Sequence, residues 1–125
     1  MLRLPEGIIS VYALIEGPTA KRTIKMALDT GATFTMIPPE KIMAAGYKIP
    51  ITKDKMIKIF TASGAEYLPI VRISSFSCLG ITVKNMEVLC HNLPSEGSVE
   101  GLLGLNFLVH LPAFEEFFHK IKPTL

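Results

Sequence analysis

Apolar and polar positions alternate loosely from residue 8 to 15, where Ile8, Ile9, Val11, Tyr12, Leu14 and Ile15 predict a first strand. Glu16-Gly17-Pro18-Thr19 has turn chemistry. Lys21 to Leu28, with Thr23, Ile24 and Met26, predicts the returning strand of a hairpin that ends on Asp29. Asp is a poor strand residue and Gly interrupts strands, so Asp29-Thr30-Gly31 predicts a tight turn between two strands. The second of these is expected over Thr33 to Ile37, before Pro38-Pro39 stops it. From Pro39 to Gly46 a short helix is expected, with Pro in its first turn, Gly just past its end, and Ile42 and Met43 toward the core.

The remaining pattern is again strand and turn. Lys55 to Phe60 and Glu66 to Ile73 predict a long hairpin around the small residues Thr61-Ala62-Ser63-Gly64-Ala65. Arg72 to Cys78 and Ile81 to Cys90 predict another around Leu79-Gly80. A loop follows over 92–98. Val99 to Leu108 then reads as an apolar strand, a glycine and an apolar segment. Phe114, Phe117 and Phe118 at i, i+3, i+4 spacing predict a helix over Pro112 to Lys120. Many short strands with frequent turns and two short helices imply an all-β, barrel-like domain.

A length of 125 residues predicts one domain, 1–125, able to bury a core without staples. Apolar residues make up 49% and charged ones only 19%, an excess that points to a subunit interface or greasy groove besides the core. The net charge of +2 is spread along the chain and leaves no nucleic-acid footprint. The run Lys53-Asp54-Lys55-Met56-Ile57-Lys58 reads as a solvated strand edge. No apolar run reaches the length of a membrane span, and no signal-peptide cleavage pattern is visible. Cys78 and Cys90, each in an apolar strand-like stretch, read as buried free thiols, with a disulfide as the alternative. That usage suggests a cytoplasmic setting.

Chemistry concentrates at Asp29. Its apolar flanks would bury the turn, and a buried carboxylate is costly unless its oxygens are bonded. In an ordinary hairpin the same Asp would only accept backbone N–H bonds. Other sites find less support. His91, His110 and His119 lack metal-ligand spacing. Cys90 and His91 are adjacent, so on a strand their side chains point to opposite faces. There is no Gly-x-Ser-x-Gly turn, and Gly101-Leu102-Leu103-Gly104 is too apolar to cradle phosphate.

Four features in order give the chain a resemblance to the retropepsin-like aspartic proteases, the single-lobe branch of the pepsin clan. They are Ala27-Leu28-Asp29-Thr30-Gly31-Ala32-Thr33, the apolar strand Phe34 to Ile37, the Gly-tipped hairpin at Thr61 to Ala65 where the family carries its flap, and Leu102-Leu103-Gly104-Leu105-Asn106-Phe107-Leu108. The resemblance runs from about residue 8 to 110 and implies a closed β-barrel with a flap hairpin. It also implies an aspartic endopeptidase that uses no cofactor. Asp29 would be catalytic, with Thr30, Gly31 and Ala32 supporting it: Thr30 bonding across a dimer, the Gly31 N–H holding the carboxylate, Ala32 lining the cleft floor. Ala62, Ser63, Gly64 and Ala65 would close over an extended peptide. Family members usually end in a further strand after the helix, whereas Lys120 to Leu125 is short and contains Pro123, so the dimer contacts are expected to differ.

The chain has two aspartates, Asp29 and Asp54, and Asp54 lies in the Lys-rich segment. Activating water for peptide hydrolysis with carboxylates alone takes two of them sharing a proton. One chain supplies one, so the active species is expected to be a homodimer with both Asp29 residues on its two-fold axis. The reading that remains beside this one is a non-catalytic peptide-binding or assembly module of the same fold.

Overall fold

The structure is a computed structural model that describes residues 3–4, 7–61, 64–93, 98–112 and 114. Strands β1 (Arg3–Leu4) and β2 (Gly7–Ile8) form a small antiparallel pair. The main sheet contains β3 (Ser10–Glu16), β4 (Lys21–Leu28), β5 (Met36–Ile37), β6 (Met56–Thr61), β7 (Gly64–Cys78), β8 (Ile81–Cys90) and β9 (Gly101–Leu103). Its order is β3-β4-β9-β5-β8-β7-β6, and β3 also pairs with β7. Six strands therefore close into a barrel, and β6 hangs from β7 outside it. Two short helices, α1 (Pro39–Ala44) and α2 (Leu105–Leu108), and a 3-10 turn at Lys53–Lys55 complete the described elements.

The alternation in β3 places Ala13 and Ile15 inside, leaving Tyr12, Leu14 and Glu16 exposed. Its partner β4 contributes Ile24, Met26 and Leu28 to the same core. Phe76 of β7 and Phe107 of α2 meet at the centre with ring centroids 5.2 Å apart, tilted by 57°. The β7–β8 hairpin turns on Leu79 and Gly80, at φ 51° and 81°. Two consecutive left-handed residues match the twist of the flanking strands.

Strand β7 is one continuous element of 15 residues, where the sequence reads as two strands meeting near Arg72. It changes partners instead of turning. Gly64 to Pro69 pair with β6, and Ile70 to Cys78 pair with β8. Pro69, which has no N–H to give a ladder, stands at the handover. The β6–β7 hairpin thus projects from the barrel on an unbroken strand, with Ala62 and Ser63 of its tip outside the described residues.

Other expectations need correction. The strand expected over Thr33 to Ile37 is reduced to Met36–Ile37, because the Thr33 carbonyl and the Thr35 N–H bond to Asn106 of α2, while the Thr35 carbonyl accepts from the Leu89 N–H of β8. The two strands flanking Asp29 are not neighbours, since β9 lies between β4 and β5. In α1, Ile42 is buried but Met43 is 55% exposed, as adjacent helical positions lie about 100° apart. Lys53–Lys55 form a 3-10 turn, and only from Met56 does the Lys-rich run become an edge strand. The helix expected over Pro112 to Lys120 lies largely outside the described residues, within which Phe114 packs against the core. No helix among the described residues is long and apolar enough to cross a membrane.

Cys78 and Cys90 are buried free thiols. Burial pushes both up from 9.0 to about 11. Above pH 9 the unfolded chain releases thiol protons that the fold retains. This contribution is complete below pH 9 and declines as pH rises toward 11. Urea midpoints at pH 8 and pH 10.5 should fall further for the wild type than for a C78A/C90A variant. At the β7–β8 turn, Leu79→Asn should raise stability by about 0.5–1 kcal/mol, because Asn tolerates the left-handed region better than Leu; urea titration measures it.

Candidate active site

Strand β4 delivers Asp29 to the point where the barrel backbone turns away, and the carboxylate residue is 8% exposed. Its backbone N–H donates to the Leu103 carbonyl at 3.0 Å, so the end of β4 is tied to the end of β9. The Ala32 N–H donates to the Asp29 carbonyl at 3.2 Å, closing a turn over Thr30 and Gly31. Within it the Gly31 N–H donates to Asp29 Oδ1 at 3.0 Å. A Cβ on Gly31 would stand 3.3 Å from that oxygen, so glycine keeps this side of the carboxylate uncrowded. Thr30 and Ala32 are half-buried on either side.

The rest of the loop obtains its bonds from a distant part of the chain. The Leu105 N–H donates to the Ala32 carbonyl at 2.8 Å, and the Asn106 N–H to the Thr33 carbonyl at 3.1 Å. Asn106 Oδ1 accepts from both the backbone N–H and the hydroxyl of Thr35, each at 2.8 Å. The Thr35 hydroxyl in turn accepts from the Gly104 N–H at 3.1 Å. Asn106 Nδ2 donates to the Glu87 carbonyl of β8 at 2.6 Å. Thr35 is fully buried, so each of these groups would be costly to leave unmet. Gly104 makes the close approach possible, because a Cβ there would lie 2.6 Å from the Phe34 carbonyl carbon and oxygen.

Gly64 and Ala65 stand on the separate β6–β7 hairpin, at the start of β7, with Gly64 at φ 128°. Two side chains connect this hairpin to the barrel wall. Glu66 Oε1 lies 3.7 Å from Nδ1 of His91, just past β8, an ion pair when that imidazole is protonated. Asp54 occupies the 3-10 turn and is fully exposed; the Thr52 hydroxyl beside it holds its carboxyl below the usual range. It stands on a different element from the Asp29 loop. Reasoning from sequence singled out neither Thr35 nor Asn106 as a site residue. Their signal is a single polar residue inside an apolar run, Thr35 between Phe34 and Met36, and Asn106 between Leu105 and Phe107.

Thr35→Val keeps the shape but leaves the Gly104 N–H without its acceptor and removes one bond to Asn106. It should cost about 1–3 kcal/mol, measured by urea denaturation.

Comparison with known proteins agrees with this architecture. A family model described as aspartyl protease matches residues 11–107. Among solved structures, a retropepsin-like aspartic protease from Rickettsia conorii aligns with a TM-score of 0.61 and 22% identity, over 88% of this chain and 76% of that one. The protease of simian foamy virus (mac) aligns with a TM-score of 0.53 and 24% identity, over 83% of this chain and 99% of that one. No significant match was found among curated proteins. The structural matches establish the barrel with its projecting hairpin as a retropepsin-like fold, and on the match over residues 11–107 the chain belongs to the aspartyl protease family.

Proposed function

We propose that the 125 residues form one protomer of a homodimeric aspartic endopeptidase that hydrolyses extended polypeptides. The observation that carries this reading is Asp29, a buried carboxylate held by the N–H of its own turn and supplied once per chain in such a setting. A two-fold axis beside Asp29 brings the same carboxylate of a second copy into reach. Like charges at that range do not ionise together, so the pair holds one proton, the general behaviour of aspartic-protease dyads.

In the reaction, the ionised carboxylate takes a proton from water as the water oxygen bonds to the scissile carbonyl carbon. The protonated carboxyl donates a hydrogen bond to the carbonyl oxygen. Collapse of the tetrahedral adduct breaks the C–N bond as the nitrogen receives a proton from the pair. Thr30 bonds across the dimer and Gly31 holds the carboxylate. Ala32 forms the cleft floor. Ala62, Ser63, Gly64 and Ala65 close over the peptide, which lies as an added strand against the hairpin and offers main-chain bonds. Closure excludes bulk water from the adduct. No cofactor takes part.

Asp29→Asn should lower cleavage of a peptide library by at least about 100-fold, the scale of a lost acid–base pair. Undiminished turnover would eliminate the mechanism. Mixing wild type with a ninefold excess of the Asn variant should lower activity per wild-type chain by about tenfold, since random pairing leaves few wild-type dimers. Activity that merely follows wild-type content would show that one chain works alone.

A further inference from the structure

An open groove of about 590 Å3 lies on the barrel beside the root of the flap hairpin, within the size range of binding sites. Its two walls belong to the two chain segments at the root of the hairpin. One is the connection into β6, with Lys48, Ile49, Asp54 and Lys55. The other is Ile70, Val71 and Arg72, the first residues of β7 after it leaves β6 for β8, together with Glu87 of β8. Any occupant therefore touches both the segment that leads into the hairpin and the strand on which the hairpin is carried. Glu87 adds a second link, since its carbonyl accepts from Asn106, the residue bonded to Thr35 behind the Asp29 loop.

The lining is amphipathic. Ile49, Pro50 and Ile70 supply apolar surface, while Val71 turns its side chain into the core. Around them are the three cations Lys48, Lys55 and Arg72 and the two acids Asp54 and Glu87. Arg72 and Glu87 are cross-strand partners, and Lys55 acts on its neighbour Asp54. Among the described residues, the ion pairs are Lys41 with Glu100 and His91 with Glu66, and neither engages a groove cation. The complement of this lining is a segment with apolar and acidic side chains, whose backbone N–H groups suit the two acids. The groove is open along the surface, which suits an extended chain.

We propose that this groove docks an acidic, apolar segment of a polypeptide substrate, outside the stretch that is cleaved. The proposal rests on the peptidase reading only in taking polypeptide as the occupant, and binding can be tested without turnover. The Asp29→Asn variant of the 125-residue chain is titrated with a fluorescein-labelled six-residue peptide alternating Glu and Leu, with a Lys/Leu peptide as control. The Glu/Leu peptide should bind, weaken with added salt, and lose at least tenfold in affinity in Lys55→Glu and in Arg72→Gln. Lys84→Glu makes the same charge change as Lys55→Glu but on β8, outside the groove, and should bind within twofold of the parent. Circular dichroism of each variant checks that it is folded. Amide shifts on peptide addition should centre on Ile70 and Arg72. Equal losses in Lys55→Glu and Lys84→Glu, equal binding of the Lys/Leu peptide, no binding of the Glu/Leu peptide, or shifts centred on Gly31 and Ala32 would each overturn the proposal while leaving the mechanism at Asp29 untouched.

Discussion

The structure depends on how a loop carrying a buried carboxylate is held without a regular ladder. Residues 29–35 leave the sheet, so their backbone groups need other partners. The segment from Leu103 to Asn106 bonds to Asp29, Ala32, Thr33 and Thr35, and the Leu89 N–H of β8 meets the Thr35 carbonyl. Asn106 is the junction. One oxygen accepts two bonds from Thr35, while its amide nitrogen anchors to β8. Because Thr35 is fully buried, these bonds are made in a poorly solvated setting, where satisfied networks rigidify and unmet groups are expensive.

That arrangement explains the order of the sheet. For Leu103 to reach Asp29 and for Asn106 to reach Thr35, β9 must pass between the two strands that border the loop. It does so as a parallel neighbour of β4 and an antiparallel neighbour of β5. Two glycines permit the passage. A Cβ on Gly101 would come within 2.5 Å of the Met36 carbonyl oxygen, and one on Gly104 would strike the Phe34 backbone. The phenyl rings of Phe76 and Phe107 then pack beneath, joining α2 to the barrel on the far side of the loop. Site and core are therefore one construction: the segment that orders the loop also delivers Phe107 to the centre.

The hairpin obeys a different logic. It is carried by β7, which continues into the barrel, so its orientation is set at the handover from β6 to β8. Beyond Pro69 the only ion pair between hairpin and barrel wall among the described residues is Glu66 with His91, both substantially exposed. An exposed pair of this kind contributes little, so what fixes the hairpin is the unbroken course of β7 and the burial of Leu68 near its root.

Local chemistry was legible in the sequence wherever it decides structure by itself. Lys21–Leu28 and Ile81–Cys90 form strands with the bounds their residue types predict. The Leu79-Gly80 turn and the start of α1 at Pro39 follow likewise, and Asp29-Thr30-Gly31 announces a turn with a carboxylate at its tip. Periodicity could not separate one strand that changes partners from two strands, because β7 looks the same from inside either way. Nor could it show that the Thr33 carbonyl and the Thr35 N–H turn to Asn106, or that Met43 faces away from the core. Each of those outcomes depends on which distant groups offer a hydrogen bond or a buried surface. The amino-acid order alone determined the barrel class, the bounds of β4 and β8, and the acid. Only the tertiary structure decided that β9 threads between the acid's two flanking strands and that Asn106 holds Thr35, because those bonds join residues 71 positions apart.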